Sequence, residues 1–141
     1  MSNWRIVRIG LIVVSSASAL FSPLPEQEAA IPWVAVLLVF LIFPFIAAVA
    51  AAILVVFPSS RLRVSRHDWD KNFLDFSHPE QFFYLGALIM LASGLVTLVR
   101  TVAMSGHVQP YSIAPVAMGV GIIVGLSALV YLSEKQARNV A

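Results

Sequence analysis

The sequence predicts an all-α integral membrane protein with four transmembrane helices, arranged as two hairpins, and two observations support this fold class. Of the 141 residues, 60% are hydrophobic and only 11% are charged, whereas soluble domains carry about 25% charged residues. The hydrophobic residues also gather into four long runs separated by short polar stretches. Because a soluble core of this size cannot bury so much apolar surface, we expect lipid to be the solvent for most of the chain.

Each run is long enough, or nearly so, for a helix that crosses a hydrocarbon core of about 30 Å. The helices are expected at about 4–21, 31–57, 81–104 and 113–132, within a single transmembrane domain that covers 1–141. The first run is short and reaches across if Arg5 and Arg8 extend toward the headgroups. Pro44 lies inside the second run, where it should kink the helix and free the carbonyl of Phe40.

The basic residues divide unevenly between the two ends of these helices. Eight of the nine lysines and arginines lie before the first run, between the second and third runs, or after the fourth: Arg5, Arg8, Arg61, Arg63, Arg66, Lys71, Lys135 and Arg138. Cytoplasmic loops of membrane proteins are enriched in lysine and arginine. We therefore predict that both termini and the 58–80 loop are cytoplasmic, in a bacterial inner membrane.

Residues 1–19 allow a second interpretation, as a secretory signal peptide. They combine a basic start, a short apolar stretch and the small residues Ala17, Ser18 and Ala19, which is typical of a signal cleaved after the last of these. Cleavage would leave three helices in the same orientation. Without it, the first run is a transmembrane helix with a small-residue packing face, and both interpretations stay open.

The 58–80 loop contains an amphipathic stretch, for which we predict a short helix over about 66–76. Trp69, Phe73 and Phe76 follow one another at i, i+4 and i+7, the spacing of one helical face. Ser65 precedes the stretch in the S-x-x-D form of a capping box, and a second box at 77–80 should open the third transmembrane helix. The three aromatic residues are therefore predicted to anchor the segment at the membrane interface, with its carboxylates toward water.

The same loop holds the residues from which a metal site would have to be built. The alternative set combines two histidines with three carboxylates: His67, Asp70, Asp75, His78 and Glu80. Their spacing matches no tight ligand motif, and His67 has Arg63 and Lys71 four residues away on either side. We therefore predict no metal site, cofactor or catalytic residue here.

Small residues on the fourth run predict close helix packing. Ala117, Gly121 and Gly125 recur every four residues, and a stripe of small side chains lets two helix backbones approach closely in lipid. The stripe serves either the internal bundle or another membrane helix, in a homo-oligomer or a partner subunit. Leu126 falls on a different helical face, so we expect it to contribute much less.

Arg100, near the end of the third run, is the single charge expected inside the membrane. One interpretation extends it to the outer headgroups, paired with Glu26 or Glu28. The other makes it a polar gate or an anion contact beside Thr97 and Thr101.

Function follows by elimination. The second and fourth runs contain no charged or histidine side chain, which proton relay, transport and haem ligation require at membrane depth. The leading hypothesis is a non-catalytic accessory, scaffold or assembly subunit that acts through helix packing in the bilayer, with no nucleic-acid partner. A small oligomeric transporter or channel is the alternative, and a membrane enzyme using the 67–80 loop is the third hypothesis.

Overall fold

A computed structural model of the chain describes residues 2–23, 32–56 and 64–140. These residues form four α-helices, α1 (Asn3–Phe21), α2 (Trp33–Val56), α3 (Pro79–Ser105) and α4 (Pro110–Val140). Each helix contains a stretch that is long and apolar enough to cross a membrane. The predicted all-α fold with four transmembrane helices is therefore confirmed.

The fourth helix is longer than its hydrophobic run. It covers Pro110–Val140 and has Arg138 in its last turn, where a positive charge is favourable beside the negative end of the helix dipole. At a rise of about 1.5 Å per residue, 31 residues extend to about 46 Å, which exceeds the hydrocarbon thickness of about 30 Å. At least one end of α4 therefore extends beyond the hydrocarbon.

The four helices pack in a row. α1 packs on α3, α3 packs on α4, and α4 packs on α2. The core lies mainly between α3 and α4, where Tyr84, Ala87, Ile122 and Leu126 are buried together. Leu126 is only 9% exposed and belongs to this core; that it contributes much less than the glycine stripe to close helix packing stays a prediction.

The glycine stripe of α4 packs against the backbone of α2. A Cβ added to Gly121 would lie 2.5 Å from the carbonyl oxygen of Phe40, and one added to Gly125 would lie 3.0 Å from that of Phe43. The Phe40 carbonyl is the one that Pro44, which lacks an N–H, leaves without its helical donor. The two glycines thus serve the internal bundle, whereas Ala117 is half-buried.

Residues 64–78 form successive turns, so the predicted helix over 66–76 is wrong. The side chains of Asp68, Asn72 and Asp75 each accept the backbone N–H two residues later, at 3.0, 2.8 and 3.0 Å. Such Asx turns compete with a helix for the same backbone donors. The three residues predicted to line a polar helical face instead fix three separate turns.

The predicted capping box at the start of α3 is also wrong. The N-cap residue is His78, and its side chain makes no capping hydrogen bond. The Ser77 hydroxyl donates to Asp75, at 2.8 Å. Glu80 accepts hydrogen bonds from Ser65 instead, which joins the segment to the start of α3.

Candidate functional site

A buried polar cluster joins the 64–78 segment to the ends of two helices. It consists of Arg8 from α1, Glu80 and Gln81 from the first turn of α3, and Ser65 and His67 from the segment. Arg8 and Gln81 are 0% exposed and Glu80 is 4% exposed. The prediction that Arg8 extends to the headgroups is therefore wrong, because the segment folds back over its side chain.

Arg8 holds the segment to α1. Its Nη2 donates to the carbonyl oxygen of Lys71 at 2.7 Å, and its Nη1 lies 3.4 Å from Nδ1 of His67. The guanidinium carbon lies 5.6 Å from the ring centroid of Phe73, within the range of a cation–π interaction. Trp4 packs edge-on against the same ring, with 5.4 Å between centroids. One buried cation thus organises both backbone and aromatic contacts.

Gln81 and Glu80 fix the start of the segment to α3. The Gln81 amide donates to the Ser65 hydroxyl at 3.2 Å and to the Arg66 carbonyl at 3.0 Å, and it accepts the Asp68 N–H at 3.1 Å. Glu80 accepts the N–H of Ser65 at 3.1 Å and its hydroxyl at 2.5 Å. Because these donors and acceptors are removed from water, each bond that is lost leaves an unsatisfied buried group.

Exposed contacts surround the buried cluster. The guanidinium of Arg66 donates to both carboxylate oxygens of Glu134 on α4, at 2.9 and 3.1 Å. Ser2, the N-cap of α1, donates to Asp70 at 2.6 Å, and Arg5 lies 3.9 Å from the same carboxylate. Solvent and salt screen such pairs, so they contribute orientation more than stability. The segment nevertheless contacts α1, α3 and α4, all at the same end of the helix bundle along its axis. We call this end of the bundle the polar end.

His67 is partly buried between aromatic rings. Its ring lies 4.8 Å from that of Trp69 and 5.2 Å from that of Tyr84, between centroids. Its Nε2 is buried without a hydrogen-bond partner among the described residues. Burial, followed by the positive charge of Arg8, lowers the pKa of His67, and Asp68 opposes this only partly. The imidazole is therefore neutral at neutral pH.

We expect stability to fall on acidification because of His67. Its folded-state pKa lies below the ordinary 6.5, so the unfolded chain binds more protons between the two values. Stability is then complete above about pH 6.5 and declines as the pH falls toward the folded-state pKa. Thermal unfolding in detergent between about pH 8 and 5 measures this decline. His67→Gln should flatten it and His107→Gln should retain it; an unchanged slope in His67→Gln would contradict the assignment.

The residues of the alternative metal set do not come together. Among the described residues, no group of three or more His, Cys, Asp or Glu side chains is placed to hold a metal ion. His78 and Glu80 do approach each other, with 3.4 Å between Nδ1 and Oε1. His67 faces a guanidinium instead, and a cation beside a cation is unfavourable.

The three predicted anchoring aromatics occupy different environments. Phe73 is 8% exposed and packs inside the protein, whereas it was predicted to anchor the segment at the membrane interface. Trp69 is half-buried. Phe76 is 99% exposed, and its anchoring role stays a prediction. It lines an apolar groove of about 500 Å³, formed by Phe73, Leu74, Asp75, Phe76, Pro79, Phe82 and Phe83.

Arg100 lies toward the end of the helix bundle that is opposite the polar end, where its side chain caps α1. Its Nη1 donates to the carbonyl oxygens of Ala19 at 2.6 Å and Ser22 at 2.8 Å, in the last turn of α1 where carbonyls lack helical partners. Of its predicted neighbours, Thr97 lines a cavity beside it, whereas Thr101 is buried and its hydroxyl donates to the Thr97 carbonyl at 2.8 Å. The proposed partners Glu26 and Glu28 lie outside the described residues.

Sequence reasoning missed the buried polar cluster. Gln81 stands at the start of the apolar run predicted for the third helix, and the sequence pattern does not distinguish the two basic residues of α1, of which only Arg8 is buried. A glutamine followed by "FFYLG" is the one signal that marked a polar group at the membrane boundary. No protein-family model, curated protein or solved structure matches this chain.

Proposed function

We propose that the protein is a non-catalytic accessory, scaffold or assembly subunit of a bacterial inner membrane, with its polar end in the cytoplasm. The observation that supports this proposal is that the side chains of the buried polar cluster form hydrogen bonds to the backbone of the protein itself. Arg8 and Gln81 are fully buried, and they bond to the backbone at Lys71, Arg66 and Asp68. A catalytic centre directs such groups toward a substrate; here they fix the shape of the chain itself.

We propose that the segment, held in this shape, forms a docking surface, and that this surface is the apolar groove. Phe76 is 99% exposed, and Leu74 and Phe82 are 58% and 54% exposed. Among the described residues that line the groove, Asp75 is the single charged side chain. Hydrogen bonds from Ser77 lower its pKa, so it is ionised. An apolar groove with one fixed negative charge fits the end of a partner's transmembrane helix that carries a lysine or arginine at the membrane interface.

The cytoplasmic orientation of the polar end is supported by its charges. Arg5, Arg8, Arg66 and Lys71 all belong to this end, where the N-terminal end of α1, the segment and the start of α3 meet. Basic residues at one end of a set of transmembrane helices favour the cytoplasmic side. An anionic lipid surface would also attract them.

The alternative is a small transporter or channel that acts as an oligomer, with Arg100 and the Pro44 kink in its path. Arg100 bonds to α1 from α3, whereas the helix that contains Pro44 packs on α4, at the other edge of the row. Two features on opposite edges do not define a common pathway within one chain. This separation favours the scaffold over the transporter.

Photo-crosslinking in living cells tests the proposed function. A photoreactive amino acid at position 76 should give an adduct of discrete mass, because Phe76 borders the groove that receives the partner helix. Position 45 is the matched control, since Phe45 on α2 is also highly exposed, at 70%, but lies away from the groove. Asp75→Asn should reduce the adduct at 76. No adduct at position 76, or the same adducts at both positions, would contradict the proposal.

A further inference from the structure

A second cavity lies between α1 and α3, away from the polar end. Its volume is about 480 Å³, within the range of about 300–1,000 Å³ typical of small-molecule sites. The lining is mainly small or hydroxyl-bearing and includes one cation: Val14, Ser15, Ser18, Ala19, Ser22, Pro23, Ser93, Thr97 and Arg100. Five hydroxyl side chains and one arginine beside a single cavity are unusual for helices that face lipid.

The Arg100 guanidinium has donors to offer this cavity. Its Nη1 bonds to the carbonyls of Ala19 and Ser22, and no described residue accepts from its Nε or Nη2. No carboxylate among the described residues forms an ion pair with it. A charged group at membrane depth is costly unless it is paired, so the positive charge favours a negative ligand.

The hydroxyl groups complete the set of donors. Those of Ser93 and Thr97 donate to carbonyls of their own helix, at 2.7 and 3.0 Å, and such local bonds can be exchanged for bonds to a ligand. The hydroxyls of Ser15 and Ser18 form no hydrogen bond with any described residue. The cavity therefore combines a cation with neutral donors from both walls.

The depth of the cavity also fits a ligand at the membrane surface. Arg100 lies five residues before Ser105, the last residue of α3, which corresponds to about 7–8 Å along the helix axis. Carbonyls from the last turn of α1 lie beside it. The guanidinium is thus close to the boundary between hydrocarbon and headgroups, where lipid phosphates are found.

From this geometry we propose that the cavity binds a phosphate-type oxyanion, supplied by an anionic lipid headgroup or by free phosphate. The planar guanidinium presents parallel N–H donors that match two oxygens of such an anion, and the serine hydroxyls donate to the remaining oxygens. The cavity exceeds the size of a phosphate alone, which leaves room for a headgroup. This binding site is independent of the docking groove at the polar end.

Thermal unfolding of the purified protein in an uncharged detergent tests the site and separates the two sources. The probes are phosphatidylglycerol, a diacylglycerol with the same acyl chains, inorganic phosphate, and sodium chloride at matched ionic strength. Phosphatidylglycerol should raise the Tm saturably, and the diacylglycerol should not. A matching rise with inorganic phosphate identifies free phosphate as a sufficient ligand; a rise with the lipid alone identifies the headgroup. No rise with either phosphate probe overturns the proposal.

Two variants test whether the rise in Tm arises from binding at this cavity. Arg100→Gln should weaken the apparent affinity at least about tenfold, since a hydrogen bond to a charged group contributes about 1.5–3 kcal/mol. Because this variant also removes the cap of α1, Ser93→Leu provides a second test: it fills the cavity and retains Arg100. Ser16→Leu is its control, since the Ser16 hydroxyl likewise bonds within its own helix, at 2.9 Å, and does not line the cavity. Undiminished lipid affinity in both Arg100→Gln and Ser93→Leu would overturn the proposal.

Discussion

Gly121→Ala should destabilise the protein by about 1–3 kcal/mol, the usual cost of overpacking a closely packed contact. The added Cβ would lie 2.5 Å from the Phe40 carbonyl oxygen. That atom belongs to the backbone of α2, so a side-chain rotation cannot relieve the clash and the two helices must separate. Thermal unfolding in detergent measures the loss.

Gly86→Ala is the matched control for this prediction. Gly86 also lies within a transmembrane helix, and an added Cβ there meets no atom within 4 Å. Alanine favours a helix over glycine by about 1 kcal/mol, so this variant should be neutral or slightly stabilising. Equal unfolding temperatures for the two variants would contradict the close contact between α2 and α4.

Gln81→Leu should release the 64–78 segment from the start of α3. The substitution removes three hydrogen bonds and leaves the Arg66 carbonyl and the Asp68 N–H without their partner. An unsatisfied buried polar group costs about 1–3 kcal/mol. Trypsin cleaves after arginine and lysine, so cleavage after Arg66 and Lys71 should be slow in the parent protein and at least about tenfold faster in this variant.

Glu134→Gln is the comparison for the released segment. It breaks the pair between Arg66 and Glu134, which is exposed and therefore screened by solvent. We expect cleavage of this variant close to that of the parent. If it were cleaved as fast as Gln81→Leu, the exposed pair and not the buried cluster would hold the segment.

The transmembrane helices could be predicted because their signal is local. A hydrophobic run of sufficient length has few alternatives in lipid, so the four runs sufficed to identify α1 to α4. The close contact at Gly121 and Gly125 was also predictable, since small residues at this spacing pack against a backbone. Their partner helix was not, because the stripe carries no information about which helix faces it.

The segment between α2 and α3 was mispredicted because its signals are ambiguous. Asp68, Asn72 and Asp75 fit one face of a helix by spacing, but the same side chains form Asx turns. The choice between the two depends on tertiary contacts. Gln81 fixes the backbone at Arg66 and Asp68 in a non-helical form, and a pattern along the chain does not reveal that contact.

The burial of Arg8 escaped prediction for a similar reason. Near the end of a transmembrane helix, an arginine ordinarily extends toward the headgroups. Here the 64–78 segment returns to the end of α1 and supplies a carbonyl and an aromatic ring to the guanidinium. Arg5, three residues earlier, has a side chain that is 43% exposed.

Hydrogen–deuterium exchange of the 64–78 amides, with the protein in lipid nanodiscs, tests most directly whether this segment is a fixed surface. The buried cluster predicts slow exchange at Ser65 and Asp68, whose N–H groups bond to Glu80 and Gln81. Gln81→Leu should abolish the protection at Asp68 and leave the middle of α3 unchanged. Exchange at the intrinsic rate throughout the segment in the parent protein would contradict the account, because a mobile segment presents no fixed docking groove.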